Sequence, residues 1–231
     1  MNPKILVGCP WNAKKAYILD RYVNRLKELD YDNYEIVLSD NSSDETFKDK
    51  IEKEYGIKVL KSPWHIKSRQ RIVNSRNQLR QYALDNNFDY YMSIEADVIP
   101  PKDIIRVLLS HDKKIVGGWY YVGDPNHARP CVSQEWKAIG DENIVQAPPT
   151  PVVMAQNRLM KAFLGSMGIM LISKEVLEKI PFRCFEHFSH HDDTWFFFDA
   201  EARGFEVWID TEMLVSYFQQ PGQWACEDLS V

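Results

Sequence analysis

The chain has 231 residues and a net charge of -5 at pH 7. Hydrophobic residues make up 45% of it and aromatic residues 13%, which is enough to bury a sizeable core and excludes a disordered class. The acidic balance argues against a general nucleic-acid-binding protein, because such proteins need a positively charged surface. A local basic pocket for phosphates remains compatible with it.

The cysteines and apolar stretches indicate the compartment. Cys9, Cys131, Cys184 and Cys226 lie far apart without a CxxC pair, which predicts reduced thiols rather than a zinc site or a disulfide framework. The N-terminus lacks the apolar segment of a secretory signal, and the longest apolar stretch, about 163–172, is too short to span a bilayer. We expect a cytoplasmic protein without a transmembrane segment, for which peripheral membrane contact stays open.

Strand and helix patterns alternate through the first half of the chain. Short apolar runs predict strands at 4–8, 34–38, 57–60 and 89–94, and apolar residues at helical spacing predict helices at 13–29, 46–55 and 69–85. Strands separated by helices of this length imply right-handed crossovers and a parallel sheet covered on both faces.

The second half of the chain has a different character. The patterns predict strands at 114–121, 168–172 and 206–209, and helices at 174–180 and 192–203. Residues 123–160 are predicted to be irregular, with the proline-rich segment 146–151 as the clearest loop. No internal repeat or linker divides the chain, so we predict one mixed α/β domain.

An acid-x-acid motif, Glu95-Ala96-Asp97, follows the apolar run 90–94. It places two acids at the end of a strand, and ligands bind at that edge of an open α/β sheet. Carboxylates at this spacing repel each other unless a cation lies between them, and a divalent metal that also holds a diphosphate would relieve the repulsion. The alternative is a solvated corner whose acids cap the next helix.

Five further segments stand in a definite order around this motif. They are Gly8-Cys9-Pro10-Trp11-Asn12, Ser39-Asp40-Asn41-Ser42-Ser43-Asp44, Asn74-Ser75-Arg76-Asn77, Gly165-Ser166-Met167-Gly168 and His190-His191-Asp192-Asp193-Thr194-Trp195-Phe196. Each also has a purely structural explanation, respectively a turn, a capping turn, an arginine on a solvated helix face, a buried strand, and acids that stabilise a helix dipole.

In order and spacing these segments resemble the GT-A-fold glycosyltransferases, close to the large inverting family 2 of nucleotide-sugar transferases. The resemblance covers about residues 4–218, with 123–160 the least matched. It implies a single GT-A-like (Rossmann-like) domain, 1–231, with a mostly parallel mixed sheet covered by helices on both faces. The half at about 1–110 would bind the nucleotide, and 111–231 would bind the acceptor and contain a mobile loop at about 123–160.

The resemblance also implies roles for individual residues. Asp97 would ligate Mn²⁺ or Mg²⁺ directly, and Glu95 would reach the ribose, or the metal through water. Asp193 would be the general base, with Asp192 as the second candidate. The other residues predicted to bind the nucleotide sugar are Pro10, Asn12, Asp40, Arg76, Ala96, Trp119, Gly165 and Ser166.

Two positions depart from the family pattern. Ser39 replaces the first acid of the acid-rich turn. Many relatives carry a metal-binding histidine seven residues after an aspartate near the last strand, and counting from Asp210 gives Tyr217 here. Either the cation comes in mainly with the nucleotide diphosphate, or the donor is handled differently.

We therefore predict an inverting, metal-assisted glycosyltransferase that acts on a glycan or another hydroxyl acceptor and has no nucleic-acid partner. One alternative is a nucleotidyltransferase of similar fold, although the segment 9–15 has two lysines but no glycine-rich phosphate loop. The other alternative is a non-catalytic sugar-binding module that kept the fold, which the changes at Ser39 and Tyr217 make conceivable.

Overall fold

The structure is a computed structural model that describes residues 2–123, 128–139, 143–156, 158–187 and 190–218. Its strands are β1 (Ile5–Trp11), β2 (Tyr34–Asp40), β3 (Lys58–Lys61), β4 (Tyr90–Ile94), β5 (Val98–Ile99), β6 (Ile115–Trp119), β7 (Tyr121–Val122), β8 (Arg129–Pro130), β9 (Glu135–Ile139), β10 (Asn143–Ala147), β11 (Leu159–Ala162), β12 (Ile169–Ser173), β13 (Val207–Leu214) and β14 (Ser216–Tyr217). Its α-helices are α1 (Leu19–Lys27), α2 (Thr46–Tyr55), α3 (Ser68–Asp85), α4 (Ile104–Ser110), α5 (Pro151–Gln156), α6 (Lys174–Lys179) and α7 (Asp192–Ala202).

The central sheet has eight strands in the order β11-β13-β6-β12-β4-β1-β2-β3. Strands β3, β2, β1 and β4 are parallel, as are β6 and β13, whereas β12 runs antiparallel to both of its neighbours and β11 runs antiparallel to β13. This arrangement confirms the predicted α/β class with a mixed, mostly parallel sheet. The predicted division into a nucleotide-binding and an acceptor-binding half stays a prediction.

The two faces of the sheet carry separate hydrophobic clusters. Along β1, Ile5 and Val7 pack into one cluster with α1, α2 and α4, and Leu6 packs into the other with α3, α6 and α7. Successive side chains of a strand point to opposite faces, so an unbroken apolar run is what a sheet covered on both sides requires. Gly8 has no room for a side chain, because a Cβ there would lie 2.1 Å from the carbonyl oxygen of Val37.

The structure differs from the sequence prediction in several elements. The helix predicted at 13–29 starts as a 3₁₀ helix, Ala13–Ile18, whose first turn Asn12 caps, and continues as α1. The pattern of α4 was missed, because seven residues give little periodicity. The prediction that 123–160 is irregular is wrong for much of its described part, which contains the β9–β10 hairpin and α5.

The predicted mobility of that loop stays a prediction, and 124–127, 140–142 and 157 lie outside the described residues. Within the described chain, the helices are all too short or too polar to cross a bilayer. Cys9, Cys131 and Cys184 are free thiols, as predicted, and Cys226 lies outside the described residues. The cytoplasmic location stays a prediction.

Candidate active site

The carboxyl ends of β1 and β4 open onto a cleft of about 830 Å³. At these strands the chain order reverses, since β2 and β3 lie to one side of β1 and β4 to the other. Because β12 is antiparallel to β4, with Ile169 opposite Ile94, the segment before β12 meets the segment after β4 at the same edge. The backbone N–H of Glu95 donates to the carbonyl oxygen of Gly168 there, at 3.0 Å. The sheet thus brings distant segments to one ligand-binding edge.

Most of the residues predicted to form the site line this cleft. They are Pro10, Asn12, Arg76, Glu95, Ala96, Asp97, Gly165, Ser166, Asp192 and Asp193. The cleft also has basic side chains in its wall, from Lys14, Lys15, Arg71, Arg76 and Arg129. An acidic chain therefore contains a local pocket with the positive charge that phosphates need.

Arg76 links the two acid motifs. It is 2% exposed, and its guanidinium donates from Nη2 to Glu95 Oε1 at 2.5 Å, from Nε to Asp192 Oδ2, and from Nη1 to Ser93 Oγ at 3.2 Å. Glu95 follows β4 and Asp192 begins α7, so one buried cation on α3 fixes the positions of acids that are far apart in sequence. A buried arginine needs such partners, because an unpaired charge would be very costly. Arg76 is not on a solvated face.

The acid-x-acid motif has a second cation. Lys15 Nζ donates to Asp97 Oδ2, and the two side chains are 33% and 8% exposed. Burial raises the pKa of Asp97, and Lys15 opposes the rise. Burial also raises the pKa of Glu95 to about 7, against the effect of Arg76 and with the help of Asp97, Asp193 and Asp192. Acids from both motifs therefore contribute to the raised pKa of Glu95, as expected for like charges that lie close together.

Asp193 is the half-buried acid at the start of α7. Its Oδ1 accepts hydrogen bonds from the backbone N–H of Thr194 at 2.7 Å and from the Thr194 hydroxyl at 3.4 Å. Burial raises its pKa, the neighbouring Asp192 adds to the rise, and Arg76 opposes it. A raised pKa makes a carboxylate a stronger base, and this offsets the weakening effect of the helix N-terminus.

Asp40 does not line the cleft. Strand β2 runs two residues further than predicted, so Asp40 lies opposite Lys61 across β2 and β3. It is fully buried, with Oδ2 bound by Lys61 Nζ at 2.8 Å and Oδ1 accepting from the Ser42 backbone at 2.9 Å. Asn41, the first residue beyond the strand, lines the cleft instead and accepts a hydrogen bond from Asn12 at 2.8 Å. The base- or ribose-binding role predicted for Asp40 stays a prediction.

Trp119 also lies away from the cleft. It ends β6, where successive side chains point to opposite faces, and its neighbour Tyr120 is the one that lines the cleft. Trp119 lines a second cavity of about 620 Å³, where its Nε1 donates to the Thr211 carbonyl at 2.8 Å and its ring packs against the edge of Tyr121. Arg129 and Pro130 line both cavities, so the two adjoin.

Tyr217 occupies the position at which many relatives carry a metal-binding histidine. It lines the cleft, and its ring centroid lies 4.7 Å from that of Tyr120. The Tyr120 hydroxyl is 2.6 Å from Ser166 Oγ, and a Cβ at Gly168 would lie 2.3 Å from that hydroxyl. This wall of the cleft is therefore aromatic and closely packed, and glycine is required at position 168 for the tyrosine to fit.

The donor set fits a divalent cation that phosphate oxygens also coordinate. Glu95 and Asp97 offer hard carboxylate oxygens, which Mg²⁺ and Mn²⁺ prefer. Among the residues that the structure describes, no group of three His, Cys, Asp or Glu side chains could hold a metal ion. Two carboxylates leave most of the coordination positions to the ligand and to water.

Among the cleft residues that sequence reasoning missed are Lys15, Asn41 and Tyr120. Asn41 and Tyr120 each adjoin a residue that was predicted, and the strand ends decided which of the two faces the cleft. Lys15 is 82 positions from its partner Asp97. Its only sequence signal was the pair of lysines after β1, which resembles any solvated helix start.

Comparisons with known proteins indicate the family and the fold. The family model for glycosyl transferase family 2 matches residues 11–180. A structure of GalNAc-T7 with UDP, GalNAc and Mn²⁺ superposes with a TM-score of 0.67 at 15% identity, over 96% of this chain and 45% of that one. The structure of A197 from STIV gives 0.53 at 14% identity, over 96% and 92%. No curated protein matched. The chain thus spans just under half the length of the GalNAc-T7 chain, and at these identities the likeness shows the fold.

Proposed function

Because the chain belongs to glycosyl transferase family 2 and is therefore a glycosyltransferase, we propose that it transfers a sugar from a nucleotide-diphosphate sugar to a hydroxyl acceptor with inversion at the anomeric carbon. The observation that carries the proposal is the double contact of Arg76. It holds Glu95 and Asp192 on either side of one guanidinium, so Asp97 and Asp193 line the same cleft.

The donor would lie along the carboxyl ends of β1 and β4. Pro10, Asn12 and Asn41 form the wall at β1 and β2, where an amide can pair with a base or a ribose hydroxyl. Lys14, Lys15 and Arg71 place positive charge over the same space, which suits a diphosphate. Ser166 and Gly165 lie across the cleft at the β12 edge, where the sugar would face the acceptor.

Asp193 is the proposed general base. Its carboxylate lines the cleft, and the contacts of Oδ1 with Thr194 hold its orientation. It would take the proton of the acceptor hydroxyl while that oxygen attacks the anomeric carbon from the face opposite the leaving diphosphate, and a single displacement of this kind inverts the configuration. Asp192 is bound by Arg76 and therefore has a positioning role in this proposal.

Glu95 and Asp97 would hold a divalent cation together with the diphosphate oxygens. When bound, the cation neutralises the charge that develops on the departing nucleoside diphosphate. The donor panel described next, repeated with Mg²⁺ in place of Mn²⁺, decides between the two cations.

A thermal-shift panel identifies the donor. UDP-, GDP- and dTDP-sugars are tested with and without Mn²⁺, and the sugar nucleotide that binds raises the melting temperature with its occupancy. The donor is then offered with candidate hydroxyl acceptors, and NMR of the product gives the anomeric configuration. We expect inversion, and retention would refute a single displacement.

Asp193→Asn tests the base. We expect turnover to fall by about 10²–10⁴-fold, while the dissociation constant of the donor stays the same. Asp199→Asn is the matched control, because Asp199 lies on the same helix but is paired with Arg183 outside the cleft. Full turnover in Asp193→Asn would remove Asp193 from the mechanism. Release of pyrophosphate from a sugar phosphate and a nucleoside triphosphate would indicate a nucleotidyltransferase, and donor binding without transfer or hydrolysis would indicate a non-catalytic module.

A further inference from the structure

Lys15 lines the cleft, and the proposed mechanism does not explain why it is paired with Asp97. It lies in the 3₁₀ helix directly after β1, whose start is fixed by Asn12 Oδ1 accepting from the Lys14 backbone N–H at 3.1 Å. From there its ammonium reaches Asp97 Oδ2, a partner that follows β4. The ion pair therefore closes across the strand pair β1 and β4, at the point where the cleft begins.

This ion pair occupies Oδ2 of Asp97, one of the two oxygens of the predicted metal ligand. Asp97 is only 8% exposed, so its carboxylate has little room for a second cation beside the ammonium. Glu95, the other candidate ligand, is bound by Arg76, which is fully buried and cannot move away. Both carboxylates are thus paired with internal cations, and the two cations differ in exposure: the Arg76 side chain is 2% exposed and the Lys15 side chain 33%.

The two internal cations differ in how readily they can be displaced. Arg76 has three partners and a rigid, planar guanidinium. Lys15 is a point charge on a flexible stem of four carbons, and its ammonium can swing by several ångströms without a change in the backbone. A divalent cation that approaches Asp97 would repel this ammonium, which would remain over a cleft that then contains a diphosphate.

We propose that Lys15 is the resident counter-ion of Asp97, that a divalent cation displaces it, and that the displaced ammonium then binds the diphosphate of the donor. The second half of this statement rests on the proposed function, and the first half does not. It follows that the cation and the nucleotide bind better together than either does alone. The cation releases the Lys15 ammonium from Asp97, and the diphosphate gives that ammonium a new partner.

Lys15→Met tests the competition, because methionine keeps the length of the stem and removes the charge. Lys114→Met is the matched control, because Lys114 is also paired with a carboxylate, that of Glu175 at 2.7 Å, but does not line the cleft. Mn²⁺ alone is titrated into each protein by calorimetry, without any nucleotide. We expect Mn²⁺ to bind about tenfold more tightly to Lys15→Met than to the wild type, and Lys114→Met to behave as the wild type does. Equal or weaker Mn²⁺ binding by Lys15→Met overturns the competition.

The second half is tested with UDP and GDP in the presence of saturating Mn²⁺. We expect Lys15→Met to bind the nucleoside diphosphate about tenfold more weakly than the wild type. The variant should therefore bind Mn²⁺ alone more tightly than the wild type and bind the nucleotide less tightly. Lys15→Arg keeps the charge and should retain weak binding of Mn²⁺ alone. Unchanged nucleotide affinity in Lys15→Met overturns the role at the diphosphate.

The two titrations also distinguish this inference from the proposed function. If the wild type binds neither UDP nor GDP in the presence of Mn²⁺, the proposed donor class and the role at the diphosphate fail together. The comparison of Mn²⁺ alone between the wild type and Lys15→Met still decides whether Lys15 and the cation compete for Asp97. Circular dichroism of each variant shows whether the fold is intact.

Discussion

The two acid pairs of the cleft, Glu95 with Asp97 and Asp192 with Asp193, follow the same plan on different elements. In each pair one carboxylate is bound by Arg76, which donates to Glu95 and Asp192 from the same guanidinium. The other carboxylate in each pair has weaker constraints. Asp97 meets the flexible ammonium of Lys15, and Asp193 accepts hydrogen bonds from Thr194.

The difference between Asp97 and Asp193, the two acids that Arg76 does not bind, matches the chemistry proposed for them. Asp97 has a removable cation, which suits an acid that exchanges one cation for another. Asp193 is half-buried with a raised pKa, first through burial and then through Asp192, which suits an acid that takes a proton. The comparison indicates that Arg76 is the fixed part of the site and that the acids it does not bind are the reactive part.

Arg76→Gln should break this comparison with the largest effect. It leaves two acids without their shared cation in a poorly solvated cleft, so we expect the free energy of unfolding to fall by about 3–5 kcal/mol. Because Arg76 opposes the rise in the pKa of Glu95, the pKa should rise further in the variant. The loss of stability should therefore be greater at about pH 8 than at about pH 5.5, where Glu95 is protonated. Urea unfolding at both values measures this.

Arg80→Gln is the matched control for that experiment. Arg80 lies one turn further along α3 and donates to the Leu177 carbonyl at 2.6 Å, in a half-buried position. We expect it to cost about 1 kcal/mol, with no greater loss at high pH. If the two variants lower the free energy of unfolding by the same amount at both pH values, Arg76 is an ordinary helix arginine. The claim that it is the shared partner of Glu95 and Asp192 is then wrong.

Asp40→Asn extends the comparison to an acid whose two carboxylate oxygens both accept hydrogen bonds. It removes the charge opposite Lys61, which is partly exposed and can be rehydrated, so we expect unfolding to become easier by about 1–3 kcal/mol. The nucleotide affinity should hardly change, because Asn41 and not Asp40 lines the cleft. Urea unfolding and calorimetric titration with UDP and GDP give the two quantities.

Asp44→Asn is the control for Asp40→Asn, since Asp44 is exposed and only caps Thr46. We expect its cost to be below that of Asp40→Asn, with the same nucleotide affinity. A large drop in affinity with unchanged stability in Asp40→Asn would restore the direct contact with base or ribose that the sequence predicts for it.

The sheet and the acid motifs were predictable because they depend on local patterns. Buried strands that are covered on both faces read as largely continuous apolar runs, and β1 follows this rule most closely, with shorter apolar runs at 36–38 in β2 and 90–92 in β4. The acids that follow β4 and begin α7 could be placed at ends of elements by the same reasoning. Family resemblance then supplied their chemical roles.

The partners of these acids could not be predicted in the same way. Arg76 shares α3 with Arg69, Arg71 and Arg80, and its burial depends on elements that are distant in sequence, among them those that carry its partners Glu95 and Asp192. Asp40 and Trp119 do not line the cleft, because a shift of one residue at a strand end moves a side chain to the other face. The patterns place strand ends less accurately than strands, so they could not decide between these residues and their neighbours Asn41 and Tyr120. The binding roles of Asp40 and Trp119 stay predictions.

Asp193→Asn should have the smallest effect on stability. It tests whether the ionised Asp193 carboxylate lowers the free energy of unfolding. Because the folded protein raises the pKa of Asp193 above the usual value of about 3.9, the folded state binds this proton more readily than the unfolded chain does. Ionised Asp193 therefore destabilises the fold above its raised pKa, and the penalty disappears as the pH falls towards the pKa of the unfolded chain.

Asparagine at position 193 should raise the free energy of unfolding by about 1 kcal/mol at pH 8 and by nothing near pH 4. Urea unfolding across this range measures the difference, with Asp199→Asn as the control that should gain nothing. A variant that is less stable than the wild type at pH 8 would mean that Asp193 is a structural helix acid rather than one held ready for proton transfer.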